Sequence, residues 1–200
     1  STSQTIPGWL VLASLFFYAW WRPVYLVLLL VSMLANFGLG SLLDQAHRQG
    51  RQHAGKAWLI AGVVFNLGLL GYFKYANFTV NSLNALAGTD FHLDTIILPL
   101  AISFFTFQQI AYLVDAHQGQ AREYRFAHYA LFVTFFPQLI AGPIVHHRDM
   151  LPQFMQPGAL TPRAQNMAIG LSIFALGLFK KTVLADGVAQ YATPVFDAAA

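Results

Sequence analysis

Gln108, Tyr112 and Asp115 recur at i, i+4 and i+7 within LPLAISFFTFQQIAYLVD (residues 98–115). That spacing sets an amide, a phenol and a carboxyl on one stripe of a helix. Ser103, Thr106 and Gln109 fall on another side of it. A second run, FFPQLIAGPIVHHRDMLPQF (135–154), carries Gln138, interrupts itself at Pro137, Gly142 and Pro143, and then presents His146, His147, Arg148 and Asp149. Groups of this kind orient a substrate and move protons. In a bilayer, polar side chains and broken backbone are tolerated only against protein or a water-filled cavity. The two runs therefore read as the wall of a buried polar path, lined by Gln108, Tyr112, Asp115, Gln138, Gly142, Pro143, His146 and His147.

Metal chemistry is not expected. Adjacent histidines point about 100° apart on a helix, and no HExxH or comparable ligand spacing occurs in the chain. A histidine can serve as a general base near neutral pH, but His146 and His147 fit a structural or path-lining role better. The chain has no cysteine, which excludes disulfides, thiolate metal sites and cysteine nucleophiles. No phosphate loop, nucleophile elbow or dinucleotide fingerprint is present.

The elements that must position these residues are membrane helices. Of 200 residues 56% are hydrophobic and only 10% charged, with a mean hydropathy of +0.52. Soluble domains carry about 25% charged residues, so this chain has too few to cover a surface in water. Long, uniformly apolar runs exclude a β-barrel. The net charge of +3 comes from Lys and Arg scattered over short loops, a pattern of membrane topology rather than of nucleic-acid binding. The expected fold is all-α: a polytopic transmembrane bundle of about six hydrophobic helices, treated as a single domain over residues 1–200.

In chain order, Ile6–Trp21 and Val24–Leu43 form a hairpin turning at Trp20–Pro23, and Ala57–Phe73 is the next span. Thr95–Val114 crosses back, with Pro99 in its first turn and Asp115 at a solvated end. Phe126–Ile140 is too short and too broken for a simple crossing and is expected to be a re-entrant half-helix. Thr161 reads as an N-cap with Pro162 at the first helical position, and the helix ends at Phe179 before Lys180-Lys181. The basic loop Asp44–Lys56 is expected in the cytoplasm and Lys74–Asp94 outside. A start without Met and an end in Asp197-Ala-Ala-Ala suggest a piece of something longer.

Four stretches resemble a known family. ASLFFYAWWRPVYLVLLL, LPLAISFFTFQQIAYLVD, FFPQLIAGPIVHHRDMLPQF and GLFKKTVLADGVA are similar to corresponding stretches of the membrane-bound O-acyltransferases, above all the bacterial alginate O-acetylation type. The D-alanyl transferases of teichoic acid are a more distant likeness. The resemblance covers nearly the whole chain, and FFPQLIAGPI with its trailing PQF is its most specific part. It implies a multi-helix fold around a tunnel in the bacterial inner (cytoplasmic) membrane, with no bound cofactor. An acetyl group from a cytoplasmic thioester such as acetyl-CoA would cross toward an exported polysaccharide such as alginate. The implied partners are the lipid bilayer, the thioester donor and an extracytoplasmic acetyltransferase or other polysaccharide-modification protein, with no nucleic acid. In the family a buried histidine acts as general base, within segments carrying Trp-Arg-Arg-Trp-His and Leu-Trp-His-Gly patterns. Neither pattern occurs before Ala200. The catalytic histidine is thus expected beyond Ala200, the chain is expected to be an N-terminal portion that is inactive alone, and none of its seven histidines takes the role.

Two other readings compete. Broken helices with polar groups at mid-membrane also build transporter and channel sites, although no inverted repeat or central acidic residue is visible here. A non-catalytic membrane subunit is the third.

Overall fold

Every regular element among the described residues of the computed structural model (2–120, 125–141, 150, 153–154 and 161–198) is helical, and none is a strand. Two units are distinguished, Ser1–Pro157 and Gly158–Ala200.

The first unit opens with α1 (Thr2–Trp21) and α2 (Pro23–Arg48), joined through Arg22 alone. Arg22 is extended (φ −156°, ψ 112°) and Pro23 occupies the first helical position, where its missing N–H costs nothing. The expected hairpin is therefore present, and Trp20 at its tip is 80% exposed.

α3 runs from Gln52 to Ala87, 36 residues, which is about 54 Å at 1.5 Å per residue. The helix runs past the expected end at Phe73 and through most of the expected loop Lys74–Asp94. Nothing between Phe73 and Ala87 breaks a helix, because Lys74 and the asparagines that follow are tolerated on an exposed face. The loop proper is residues 88–101, and it is held by side chains rather than by a sheet. The Asn84 amide bonds both backbone groups of Phe91 (Nδ2 to O, 2.8 Å; N to Oδ1, 3.0 Å). One helical heptad earlier, Asn77 takes the Asp94 carbonyl and the Ile96 amide, each at 3.3 Å. Further along, the hydroxyl of Tyr25 donates to the Ile97 carbonyl and that of Tyr18 to the Leu100 carbonyl.

α4 spans Ile102–His117, so the helix expected from Thr95 starts seven residues later. Pro99 disfavours helical geometry in the residue before it, and Ala101 sits in the left-handed region at φ 56°. Pro99 lies outside the helix, where its carbonyl accepts from the Ile102 amide at 3.3 Å. At about 24 Å, α4 is shorter than a membrane core.

α5 (Phe126–Thr134) and α6 (Phe136–Ala141) replace one continuous run. A Pro137 ring inside a straight helix would collide with the carbonyl four residues back. The break falls at Phe135 (φ −53°, ψ 100°), which leaves Pro137 in the harmless first turn of α6. α2, α3 and α4 pack on one another, while α5 is enclosed by α1, α2 and α4, with all of His128–Thr134 buried.

The second unit holds α7 (Ala164–Phe179), a π-helical turn (Lys180–Ala185) and α8 (Asp186–Ala198). Helix α7 begins at Ala164 after an extended Arg163, with no side-chain cap, so Thr161 is not its N-cap. The α-helix ends at Phe179 as expected, but the helical backbone runs on through the π turn into α8, with Lys181 Nζ meeting Asp186 Oδ2 at 2.7 Å across that turn. Three helices are long and apolar enough to cross a membrane among the described residues: Pro23–Arg48, Gln52–Ala87 and Ala164–Ala198.

Candidate functional site

α4 carries the site because it is the one element packed against α2, α3, α5 and α6 together. Its polar stripe is fully interior. Gln108 is 3%, Tyr112 2% and Asp115 6% exposed, so the solvated end expected for Asp115 is not what the structure has. Tyr112 packs against Tyr129 of α5, 4.6 Å between ring centroids with the rings tilted by 49°. Its phenol lies over Gly40 of α2, where an added Cβ would come within 2.6 Å of the hydroxyl oxygen. The stripe is thus pressed between a glycine of one helix and the most enclosed short helix of the bundle.

On the other side of α4, Gln109 joins a buried amide cluster. Ser32 and Asn36 of α2, Asn66 of α3 and Gln109 are all 0–1% exposed. Ser32 Oγ donates to Gln109 Oε1 at 2.9 Å, and Asn36 Nδ2 donates to the same oxygen. Asn66 Nδ2 donates to Asn36 Oδ1 at 2.6 Å and to the Gly62 carbonyl at 2.8 Å. Neither Asn36 nor Asn66 is among the site residues expected from the sequence. A single Asn inside an otherwise apolar span is the signal, since an amide in a membrane helix needs a partner from another helix.

The broken run is closed by α1. Ser14, itself 1% exposed, donates to the Leu10 carbonyl at 2.7 Å and accepts the Phe136 amide at 3.4 Å. That amide has no place in the ladder of either half-helix, so the hydroxyl supplies its acceptor. Gln138 follows on α6 and is half-buried. Gly142, Pro143, His146 and His147 lie outside the described residues. His128, at the start of α5, is 8% exposed, a buried histidine that the sequence placed merely near a loop.

Four interior polar atoms have no hydrogen-bond partner among the described residues: Thr106 Oγ1, Gln108 Oε1, Gln109 Nε2 and the Tyr129 hydroxyl. Uncompensated burial of such atoms costs about 1–3 kcal/mol each, and three of the four fall within a single turn of α4. No cluster of three metal-ligating side chains exists among the described residues. The arrangement places amide and phenol groups with unused hydrogen-bonding capacity inside the helix packing.

Residues 117–198 match the sequence model of the membrane-bound O-acyltransferase family. Over 96% of its length the chain is 44% identical to a peptidoglycan O-acetyltransferase of Helicobacter pylori, covering 40% of that protein. It is 39% identical to a probable alginate O-acetylase AlgI of Pseudomonas aeruginosa over 94% of the chain and 36% of the relative. A probable alginate O-acetylase AlgI of Azotobacter vinelandii is 38% identical over the same share of the chain. The chain thus spans about two fifths of the length of the curated relatives it matches. No solved structure matches it.

Proposed function

Since the chain belongs to the membrane-bound O-acyltransferase family, we propose that it forms part of an enzyme that O-acetylates an exported polysaccharide. The acetyl group comes from a thioester donor such as acetyl-CoA on the cytoplasmic face and is handed across the inner membrane, with an extracytoplasmic acetyltransferase as partner. The carrying observation is the likeness, over nearly the whole chain, to proteins named for acetylating two different polymers, peptidoglycan and alginate. What those polymers share is a polysaccharide hydroxyl as acceptor.

The interior of α4 supports a lining role. Acyl transfer at a membrane needs a walled path in which thioester and hydroxyl meet without bulk water. Gln108, Tyr112, Asp115 and Gln138 line that path in this reading, and the unpartnered Gln108 Oε1 accepts a hydrogen bond from the guest. The chemical base is supplied elsewhere in the full protein.

The test uses full-length protein in proteoliposomes, with radiolabelled acetyl-CoA on the cytoplasmic side and acetylated glycan as readout. Gln108→Leu is expected to lower transfer at least tenfold, the scale of one lost hydrogen bond to a bound substrate, with the unfolding temperature held. Wild-type transfer by that variant would sink the lining role. Solute uptake by the wild type without any donor, and no acetyl transfer, would favour a transporter instead.

A further inference from the structure

We propose that the cleft where α2 and α4 end and α3 begins binds a phosphate group. α2 and α4 stop in the same way. Gly50 (φ +65°) and Gly119 (φ +72°) take the left-handed conformation. The following amides reach back five residues, Arg51 to the Ala46 carbonyl at 2.9 Å and Gln120 to the Asp115 carbonyl at 2.8 Å. The glycine amides reach back three, to His47 and Ala116, both at 3.1 Å. This is the double hydrogen bond of a glycine-capped helix end, and it occurs twice, side by side. The His47 Nδ1–H donates to the His117 carbonyl at 3.2 Å, and a Cβ on Gly119 would lie 2.5 Å from the His47 ring.

The paired caps leave a cleft of about 400 Å³ lined by His47, Arg51, Gln52, Gly55, Lys56 and His117. Arg51 and Lys56 bring full positive charges, and none of the lining residues is acidic. The nearby carboxylate of Asp44 is engaged by Arg48 at 3.0 Å. α3 starts here with no side-chain cap; the Gln52 amide goes to the Gly50 carbonyl at 3.0 Å, which leaves the His53 and Ala54 amides as available donors. The ends of α2 and α4 add about half a negative charge each, less than two cations and a helix N-terminus together. Arginine and lysine beside uncapped helix amides form a donor set that suits phosphate oxygens.

Two sources of that group are chemically equivalent at the cleft: an anionic phospholipid headgroup, or the phosphates of a nucleotide-linked thioester donor. Only the second rests on the acyltransferase reading.

The experiment takes the full-length protein in detergent and measures saturable binding of radiolabelled inorganic pyrophosphate. Wild type is expected to bind, and Arg51→Gln with Lys56→Gln to bind at least tenfold more weakly, since each lost charge-assisted bond is worth roughly that factor. Both side chains are exposed, and unfolding temperature confirms that the variant folds. Displacement by coenzyme A but not by short-chain phosphatidylglycerol assigns the cleft to the donor; the reverse assigns it to lipid. Either displacement supports the proposal. Absence of pyrophosphate binding, or equal binding by the double variant, overturns it and leaves the acyl-transfer reading untouched, because that is read separately as acetylated glycan.

Discussion

Asn36 and Asn66 exchange hydrogen bonds across α2 and α3. Asn66 Nδ2 donates to Asn36 Oδ1 at 2.6 Å, and Asn36 Nδ2 returns one to Asn66 Oδ1 at 3.2 Å. Gln109 of α4 accepts a further bond from the same Asn36 amide. Apolar side chains give membrane helices little reason to prefer one another over lipid, so Asn36, bonded to both Asn66 of α3 and Gln109 of α4, fixes which helices meet and in what register.

Asn36→Leu should therefore cost more than one interhelical hydrogen bond. Such a bond averages about 0.6 kcal/mol in membranes, and this change removes several at once. It also leaves Asn66 Oδ1 without its donor, at about 1 kcal/mol or more, although Gln109 Oε1 keeps Ser32 and Asn66 Nδ2 keeps the Gly62 carbonyl. A loss of about 2–3 kcal/mol is expected in detergent unfolding of the full-length protein. Ser32→Ala, which removes one donor to Gln109 Oε1, should cost well under half of that. Equal losses for the two would refute a cluster centred on the asparagine pair.

The contact between Gly40 and Tyr112 makes a second prediction. A Cβ on Gly40 would overlap the phenol, and Tyr112 cannot yield because Tyr129 backs it. Gly40→Ala should destabilise by about 1–3 kcal/mol, the usual cost of overpacking. Adding Tyr112→Leu, which removes the ring tip, should restore at least half. No recovery in the double variant would mean that Gly40 matters for some other reason.

How much of this was legible in the chain depended on whether one segment contained its own explanation. The Trp20–Pro23 hairpin, the all-helical class and the break near Pro137 follow from local chemistry, and the structure has them. The start of α4 does not. Thr95–Leu100 is apolar enough to be helix, but its carbonyls are claimed by Tyr18 and Tyr25 from other helices. Asn36 and Asn66, thirty residues apart, likewise acquire meaning only when α2 and α3 lie together. The polar stripe of α4 was readable from spacing, whereas the burial of Asp115 depends on neighbours that no periodicity reveals.

Ser14 and Phe136 supply a third test. With Pro137 present, the Phe136 amide must find an acceptor outside the helix, and Ser14 Oγ is that acceptor. Ser14→Ala should cost about 1 kcal/mol, modest because the bond is long at 3.4 Å. Pro137→Ala removes the ring that prevents a straight helix, so Ser14→Ala should cost measurably less in that background. Additive losses would show that the two residues act independently.

The twin glycine caps allow backbone strain and crowding to be separated. Gly50 and Gly119 share the same positive φ, but a Cβ on Gly50 meets nothing within 4 Å while one on Gly119 meets the His47 ring. Gly50→Ala therefore measures the left-handed penalty alone, about 1 kcal/mol. Gly119→Ala should lose that amount plus the cost of displacing His47, which is held by its bond to the His117 carbonyl, for a total of about 2–3 kcal/mol. His47→Ala combined with Gly119→Ala should bring the loss back toward the Gly50→Ala value, because the crowding is removed and the strain is not. Denaturant midpoints of the four proteins, wild type included, decide it. If Gly119→Ala costs no more than Gly50→Ala, the two caps are not pressed together, and the cleft between them is less fixed than the geometry indicates.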